Sequence, residues 1–281
     1  MTDTPPSVTP RFSELFLRVV FGLLMAAVAL AIAVAGDSLF ALFWTVAAVA
    51  VFREWLALMG VAKNRALLLW LIGSVGIVFA GALAEWSQSL DPTSLWPAVA
   101  ASVVVSLFAP SGRRVWVGGG VLYAAVIAIV PTDLRGDVAH GLVAILWLFA
   151  VVWLSDVVAY FTGRTFGGPK LWPAISPKKT WSGAIGGFVG GVAGALLVVH
   201  FMASLFGFGW YRGPVLIGVT MVAAIISQAG DLSESALKRH FGVKDSGHLI
   251  PGHGGVMDRL DSFWAVALFL YLSVLVIGPP Q

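Results

Sequence analysis

The sequence predicts an all-α polytopic integral membrane protein with about nine transmembrane helices and a cytoplasmic N-terminus. Of its 281 residues, 59% are hydrophobic and only 11% are charged, and its mean hydropathy is +0.92. Soluble domains are about 45–50% apolar, so this chain lacks the polar surface of a soluble fold. A membrane β-barrel is disfavoured because the apolar residues run continuously instead of alternating.

Hydropathy divides the chain into apolar spans of roughly 15–22 residues, long enough for a hydrocarbon core about 30 Å thick. We predict a disordered tail at 1–15, N-terminal transmembrane helices at 16–135, and a C-terminal transmembrane region that carries both polar motif segments at 136–281. The predicted spans are 16–35, 39–57, 66–84, 95–109, 115–131, 141–162, 183–206, 214–230 and 262–278.

The basic residues set the predicted orientation of these spans. With the N-terminus in the cytoplasm, every Lys and Arg except Arg135 and Arg212 falls on the cytoplasmic side. This asymmetry agrees with the positive-inside rule. It puts the C-terminus outside and places both polar motif regions described below on the cytoplasmic face.

The segment from Asp231 to Asp261 concentrates charge in an otherwise apolar chain. On a helix, Asp231, Ser235 and Lys238 would share one face, which puts an oxygen ligand for a metal near a cation suited to phosphate. Asp258, on the next helix, would bring a second carboxylate, and Mg²⁺ typically takes one or two carboxylates plus substrate phosphates. The alternatives are a surface helix with solvated charges and, for Asp261, a helix-capping role.

Glycines and a proline make the connection just before Asp258 irregular, which a membrane protein tolerates only where the chain is buried in protein or lines a wet cavity. Within this connection, His253 could donate a hydrogen bond to a phosphate or act as a proton carrier. The alternative is a structural role. The other histidines have no such context, and no spacing indicates zinc.

An isolated carboxylate, Asp156, lies late in a predicted apolar span, with Tyr160 and Gly163 on the same helix face. Such a carboxylate usually faces the interior of the bundle or a hydrated cavity. Glu54, near the end of the second span, is interpreted as a carboxylate at headgroup level, paired with Arg53 or a Lys.

A basic, glycine-rich loop follows Asp156, from Gly163 to Gly183. Glycine residues let backbone N–H groups approach an anion, and Lys and hydroxyl side chains add further donors. The alternative is a positive-inside loop held to anionic lipid headgroups. We favour ligand contact because four donor side chains cluster before the next span: Ser176, Lys178, Lys179 and Thr180.

Together these motifs resemble the phosphatidate cytidylyltransferase (CDP-diacylglycerol synthase) family. The C-terminal pattern is carried without mismatch by Ser235, Leu237, Lys238, Arg239, Lys244, Asp245, Gly247, Ile250, Pro251, His253, Gly254, Gly255, Val256, Asp258, Arg259, Leu260 and Asp261. The upstream pattern is carried by Asp156, Ala159, Tyr160, Gly163, Arg164, Gly167 and Ser176 to Thr180. Ser182 departs from it, since an acidic or amide residue is expected there.

This resemblance implies transfer of the cytidylyl group of CTP to phosphatidate, giving CDP-diacylglycerol and pyrophosphate. It implies Mg²⁺, with room for a second cation such as K⁺, at the candidate ligands Asp231, Asp258 and Asp261. These three are also expected to be catalytic, together with Ser235, Lys238 and Arg239. The expected substrate-binding residues are Asp156, Tyr160, Ser176, Lys178, Lys179, Thr180, Lys244, His253 and Arg259.

The resemblance also implies a bacterial-type inner membrane, a site facing the cytoplasm, a homodimer by analogy with the family, and no nucleic-acid partner. Two other functions stay open at the level of sequence. One is cytidylyl transfer to a different lipid phosphate, for example an isoprenoid-based one. The other is a membrane transporter, although transport would favour charges at the midplane of several spans over charges gathered at one face.

Overall fold

A computed structural model describes residues 11–87, 92–206, 213–247, 249–250 and 254–277 of the chain. Within these ranges the protein is helical except for turns and one small hairpin. The helices are Arg11–Ala35 (α1), Asp37–Leu58 (α2), Lys63–Ser87 (α3), Trp96–Phe108 (α4), Arg114–Gly136 (α5), Gly141–Phe166 (α6), Trp181–Phe206 (α7), Pro214–His240 (α8) and Met257–Ile277 (α9). The antiparallel strands are Lys170–Trp172 (β1) and Ser176–Thr180 (β2).

Among the described residues, seven helices are long and apolar enough to cross a membrane: α2, α3, α5 with its preceding turn, α6, α7, α8 and α9. The described parts of α1 and α4 contribute shorter apolar stretches, Val19–Ala35 and Thr93–Phe108. The prediction of an all-α membrane protein is therefore confirmed. Nine spans and a cytoplasmic N-terminus stay predictions.

Most helices extend beyond the boundaries that hydropathy predicts, and two cases bear on the polar segments. α1 begins at Arg11, so it overlaps the predicted tail at residues 11–15. α8 continues from the predicted span 214–230 to His240. Its last turns are polar but remain helical, and Glu234 and Lys238 form an i,i+4 ion pair of 3.3 Å there. A Glu placed N-terminal to a Lys at this spacing stabilises a helix, so the helix outlasts its apolar stretch.

Close packing of α6 against α7 depends on small residues. A Cβ atom added to Gly191 would lie 2.2 Å from the Ser155 hydroxyl, and one added to Gly194 would lie 2.0 Å from a Leu154 methyl. Glycine at these positions lets the two backbones approach, as is common between membrane helices. This contact fixes the helix that carries Asp156 beside the hairpin, which directly precedes α7.

Both polar motif regions lie at the same end of the helix bundle. The C-terminal part of α2, through Glu54, reaches the start of α9, and the hairpin reaches α8 at Asp231. The opposite end holds a separate polar group, in which Arg135 donates to the Ala33 carbonyl at 2.8 Å. The side of the membrane that each end faces stays a prediction.

Candidate active site

Antiparallel packing of α8 and α9 decides which charged residues meet. The Lys238 ammonium lies 2.6 Å from an Asp258 carboxylate oxygen. Further along, a Cβ atom added to Gly230 would lie 2.8 Å from the carbonyl oxygen of Asp261. On α8, Lys238 follows Asp231 by seven residues, which is about 10 Å of helix. Asp258 therefore meets α8 roughly two turns beyond Asp231. Asp261, one turn later on α9, is the carboxylate at the level of Asp231.

Asp258 is saturated by contacts within the protein. Besides the Lys238 ammonium, its carboxylate accepts the Ser246 amide at 3.1 and 3.2 Å and the Gly255 amide at 2.9 Å. Asp258 is the second residue of α9, so it, and not Asp261, is the acidic residue in the first turn of that helix. Asp231 and Asp258 thus have separate protein partners in this structure, and a cation shared by the two stays a prediction.

Asp231, in contrast, is accessible. It forms a 2.6 Å ion pair with Lys179 of β2, and the two side chains are 31% and 25% exposed respectively. The Ser235 hydroxyl lies 3.4 Å from its other oxygen, as expected for residues one turn apart. The predicted face of Asp231, Ser235 and Lys238 is thus only partly realised, since Lys238 turns to Asp258.

Asp156 extends this accessible region into the bundle. It interacts electrostatically with Asp231, Asp261, Lys179 and Arg259, which come from three other elements. Its side chain is exposed, although it precedes the end of α6 by about 15 Å of helix. These five charged residues therefore form one group within electrostatic range of Asp156, which we call the open cleft: Asp156, Lys179, Asp231, Arg259 and Asp261.

The remaining predicted substrate-binding residues divide by position. Thr180 is buried, and its hydroxyl accepts the Gly183 amide at 3.1 Å, so it caps the N-terminus of α7. The Tyr160 hydroxyl accepts from Arg164 at 3.1 Å. Exposed or half-buried side chains with no described contact to the open cleft are Ser176, Lys178, Arg239 and Lys244. His253 lies outside the described residues.

Ser182, the departure from the family pattern, has a clear structural role. Its hydroxyl donates to the Gly167 carbonyl and lies 3.1 Å from the Thr180 hydroxyl. Gly167 is the first residue after α6, so this contact ties the end of α6 to the start of α7. A short side chain is sufficient for this task.

Two residues that adjoin the site have contacts that the sequence does not indicate. The first is Glu54. It is 3% exposed and does not pair with Arg53, so the headgroup interpretation is wrong. Its carboxylate accepts the backbone amides of Val256 and Met257 at 3.0 and 2.8 Å and the Ser246 hydroxyl at 3.2 Å. A charge near the end of an apolar span was the available signal, since such a charge must find partners.

The second missed residue is Tyr123 on α5. It lies within electrostatic range of Glu234 and Asp261, and its ring stacks on Trp264 with centroids 4.6 Å apart. The Trp264 indole in turn donates to the Tyr123 carbonyl at 3.0 Å. A single Tyr in an apolar helix gives no signal in the sequence, so only the packing of α5 against α9 reveals it.

The open cleft has the donor chemistry that a hard divalent cation requires. Among the described residues, no three His, Asp or Glu side chains converge closely enough to hold a metal unaided. Mg²⁺ does not need such a cage, since it keeps waters and binds through one or two carboxylates plus substrate phosphates. Asp231 and Asp261 fit this requirement, and the buried Glu234 carboxylate lies within electrostatic range of Asp261. Asp258 stays a predicted ligand, although protein groups occupy its oxygens in this structure.

Apolar helices around a group of mixed carboxylates and cations define a membrane protein with a charged region at one end of the bundle. The chain belongs to the cytidylyltransferase family, whose model matches residues 16–277. It is 40% identical to a phosphatidate cytidylyltransferase of Brucella abortus (strain 2308), over 269 residues that cover 96% of each chain. It is also 46% identical to a phosphatidate cytidylyltransferase of Staphylococcus aureus (strain COL) over 140 residues, 49% of this chain and 51% of that protein. The family resemblance is confirmed, and the transporter alternative is excluded.

Proposed function

We propose that this chain transfers the cytidylyl group of CTP to phosphatidate, giving CDP-diacylglycerol and pyrophosphate. Its relatives of matching length bear the name of that activity. The observation that carries the proposal is the open cleft, in which Lys179 and Arg259 face Asp156, Asp231 and Asp261. Cations there would neutralise substrate phosphates, and the carboxylates would hold a divalent cation.

In this reaction a phosphate oxygen of phosphatidate attacks the α-phosphorus of CTP, and the bond from that phosphorus to the β-phosphate oxygen breaks as pyrophosphate leaves. Both substrates are anions, so the protein must chiefly position them and neutralise their charge. Phosphatidate is already a nucleophile near neutral pH, and no strong general base is required.

The cationic side chains would divide this work. Lys179, on the hairpin over the cleft, would exchange its contact with Asp231 for a CTP phosphate. Arg259 is exposed and within electrostatic range of Asp156, so it can meet a second phosphate. An ammonium carries three donors. Lys238 donates to Asp258 at 2.6 Å and lies 3.3 Å from a Glu234 oxygen, and we expect it to turn a further donor toward a substrate oxygen.

Mg²⁺ would be held by Asp231 and Asp261, and when bound it would stabilise the charge of the phosphates between which the cytidylyl group moves. A second cation, such as K⁺, remains part of this proposal. We also propose that the cleft faces the cytoplasm of a bacterial inner membrane, where CTP is present. A homodimer remains a prediction by analogy with the family.

The test is transfer of label from CTP into lipid. Purified protein in detergent with Mg²⁺ should move radiolabel from the α-phosphate of CTP into the lipid fraction when phosphatidate is supplied, and should release pyrophosphate in equal amount. Parallel reactions contain an isoprenoid-based lipid phosphate or no lipid. If the isoprenoid phosphate acquired label and phosphatidate did not, the acceptor would be an isoprenoid phosphate. If neither lipid acquired label, the proposal would be refuted.

A further inference from the structure

Glu54 lies outside the open cleft yet holds the segment that leads into α9. Val256 directly precedes α9 and Met257 is its first residue, so Glu54 accepts two N-terminal amides of that helix. A helix N-terminus attracts anions because its first amides lack partners within the helix. Here a carboxylate from α2 fills that position, which makes the α9 N-terminus unavailable to a substrate phosphate.

Two carboxylates from different helices organise this one connection. Glu54 takes the Ser246 hydroxyl, while Asp258 takes the Ser246 amide. On the other side, Glu54 takes the Val256 and Met257 amides, while Asp258 takes the adjacent Gly255 amide. Ser246 and the segment from Gly255 to Met257 are therefore held by the same two acids. We call this group the locked cluster: Glu54, Lys238, Ser246, Gly255 and Asp258.

The glycines of the connection are enclosed by Glu54. A Cβ atom added to Gly247 would lie 2.7 Å from one Glu54 oxygen, and one added to Gly255 would lie 2.5 Å from the other. Separations under 3.0 Å are essentially never seen for real Cβ atoms. These two glycines are thus required for close approach to Glu54, a task that the sequence alone could not assign to them.

We propose that Glu54 is a positioning residue for cytidylyl transfer, acting through the connection on Asp258 and through Asp258 on the Lys238 ammonium. The inference rests on the proposed function. The contacts form one continuous path: Glu54 fixes Ser246 and the start of α9, these place the Asp258 carboxylate, and Asp258 fixes Lys238 at 2.6 Å. Held in this way, the Lys238 ammonium would keep one orientation toward a substrate oxygen.

The isosteric variant Glu54→Gln separates this role from simple packing. Glu54 accepts three hydrogen bonds through two oxygens, whereas glutamine has one acceptor oxygen and an NH₂ donor. Whichever way its amide is turned, the NH₂ group would face a backbone N–H, either that of Val256 or that of Met257. A buried donor without an acceptor is costly, so the connection should shift although the volume is unchanged.

The experiment measures kcat and KM for CTP, per folded enzyme, in the label-transfer assay. Glu54→Gln should lower kcat about a hundredfold, because displacements near 1 Å at reacting groups have effects of that size. KM for CTP should change less than about threefold, since Lys179 and Arg259 do not contact Glu54. Arg53→Gln is the matched control, since it changes the charge of an exposed neighbour on the same helix and should leave both constants unchanged.

Glu54→Gln with kcat within about threefold of the unmodified protein would overturn the proposal, as would a loss that lies entirely in KM for CTP. Should Glu54→Gln fail to give folded protein, Ser246→Ala decides, because it removes one of the three donors. It should lower kcat roughly fivefold at unchanged KM, and an unchanged kcat would overturn the proposal. An inactive unmodified protein would instead refute the proposed function.

Discussion

The locked cluster and the open cleft lie side by side at one end of the bundle, and their acids are used differently. In the locked cluster, Asp258 and Lys238 have side chains only 9% and 12% exposed, and Asp258 also accepts two backbone amides. In the open cleft, Asp231 is 31% exposed and has one ion-pair partner, Lys179. Carboxylates of a single short motif thus divide between building the site and, in our proposal, meeting the substrates.

Removal of divalent cation gives the largest expected contrast between the two regions. EDTA should abolish label transfer, and added Mg²⁺ should restore it, because the Asp231 and Asp261 carboxylates would repel the substrate phosphates without a divalent cation between them. The thermal unfolding midpoint of the protein without substrate should change little, since the locked cluster is held by protein groups alone. Full activity in excess EDTA would contradict the assignment of a cation to the cleft.

Asp258→Asn should damage both stability and turnover. The change removes one partner of a nearly buried ion pair, which typically costs about 3 kcal/mol. A lower thermal midpoint, measured by intrinsic fluorescence in detergent, should accompany a fall in kcat of about a hundredfold. Asp245→Asn alters an exposed carboxylate of the same connection and should leave the midpoint unchanged. An Asp258→Asn protein of normal midpoint would show that the cluster is not structural.

Lys179→Gln should have the opposite signature, with a loss of activity and little loss of stability. Its ion pair with Asp231 is partly exposed, and such pairs contribute about 0–1 kcal/mol. If Lys179 meets a CTP phosphate, kcat/KM for CTP should fall about a hundredfold. Lys170→Gln, an exposed lysine on the neighbouring strand, is the control and should behave as the unmodified protein. Equal effects of the two substitutions would show that Lys179 does not contact CTP.

Thr180→Ala should have the smallest effect, and it separates capping from substrate binding. Loss of an N-cap hydroxyl costs about 1 kcal/mol, so the thermal midpoint should fall slightly. Thr180→Ser keeps the hydroxyl and should retain the midpoint. Because Thr180 is buried and already accepts the Gly183 amide, we expect kcat and KM to stay within about twofold. A large increase in KM for CTP would instead support the prediction that Thr180 contacts the substrate.

The sequence predicts the helices well because membrane spans are long apolar runs, and it locates the polar end because charges are rare elsewhere. It does not indicate which acid of α9 lies at the level of Asp231. Spacing along a chain does not reveal how far two antiparallel helices slide past each other, and a shift of one turn exchanges Asp258 for Asp261.

Glu54 could not be assigned from sequence for a different reason. Its two amide partners, Val256 and Met257, are backbone groups about two hundred residues away, and a backbone group carries no sequence signature. The nearby Gly247 and Gly255 indicated an irregular connection, but not the carboxylate that encloses them. Fold and family were within reach of the sequence, whereas the division of labour among the acids required coordinates.

The most direct test of this division is Asp231→Asn, assayed for both label transfer and thermal unfolding. The substitution keeps the size of an accessible side chain and removes only its charge. We predict that phosphatidate-dependent label transfer falls at least about a hundredfold while the thermal midpoint stays within error of the unmodified protein. Near-normal transfer by Asp231→Asn, or a loss of transfer that tracks a loss of folded protein, would contradict the account.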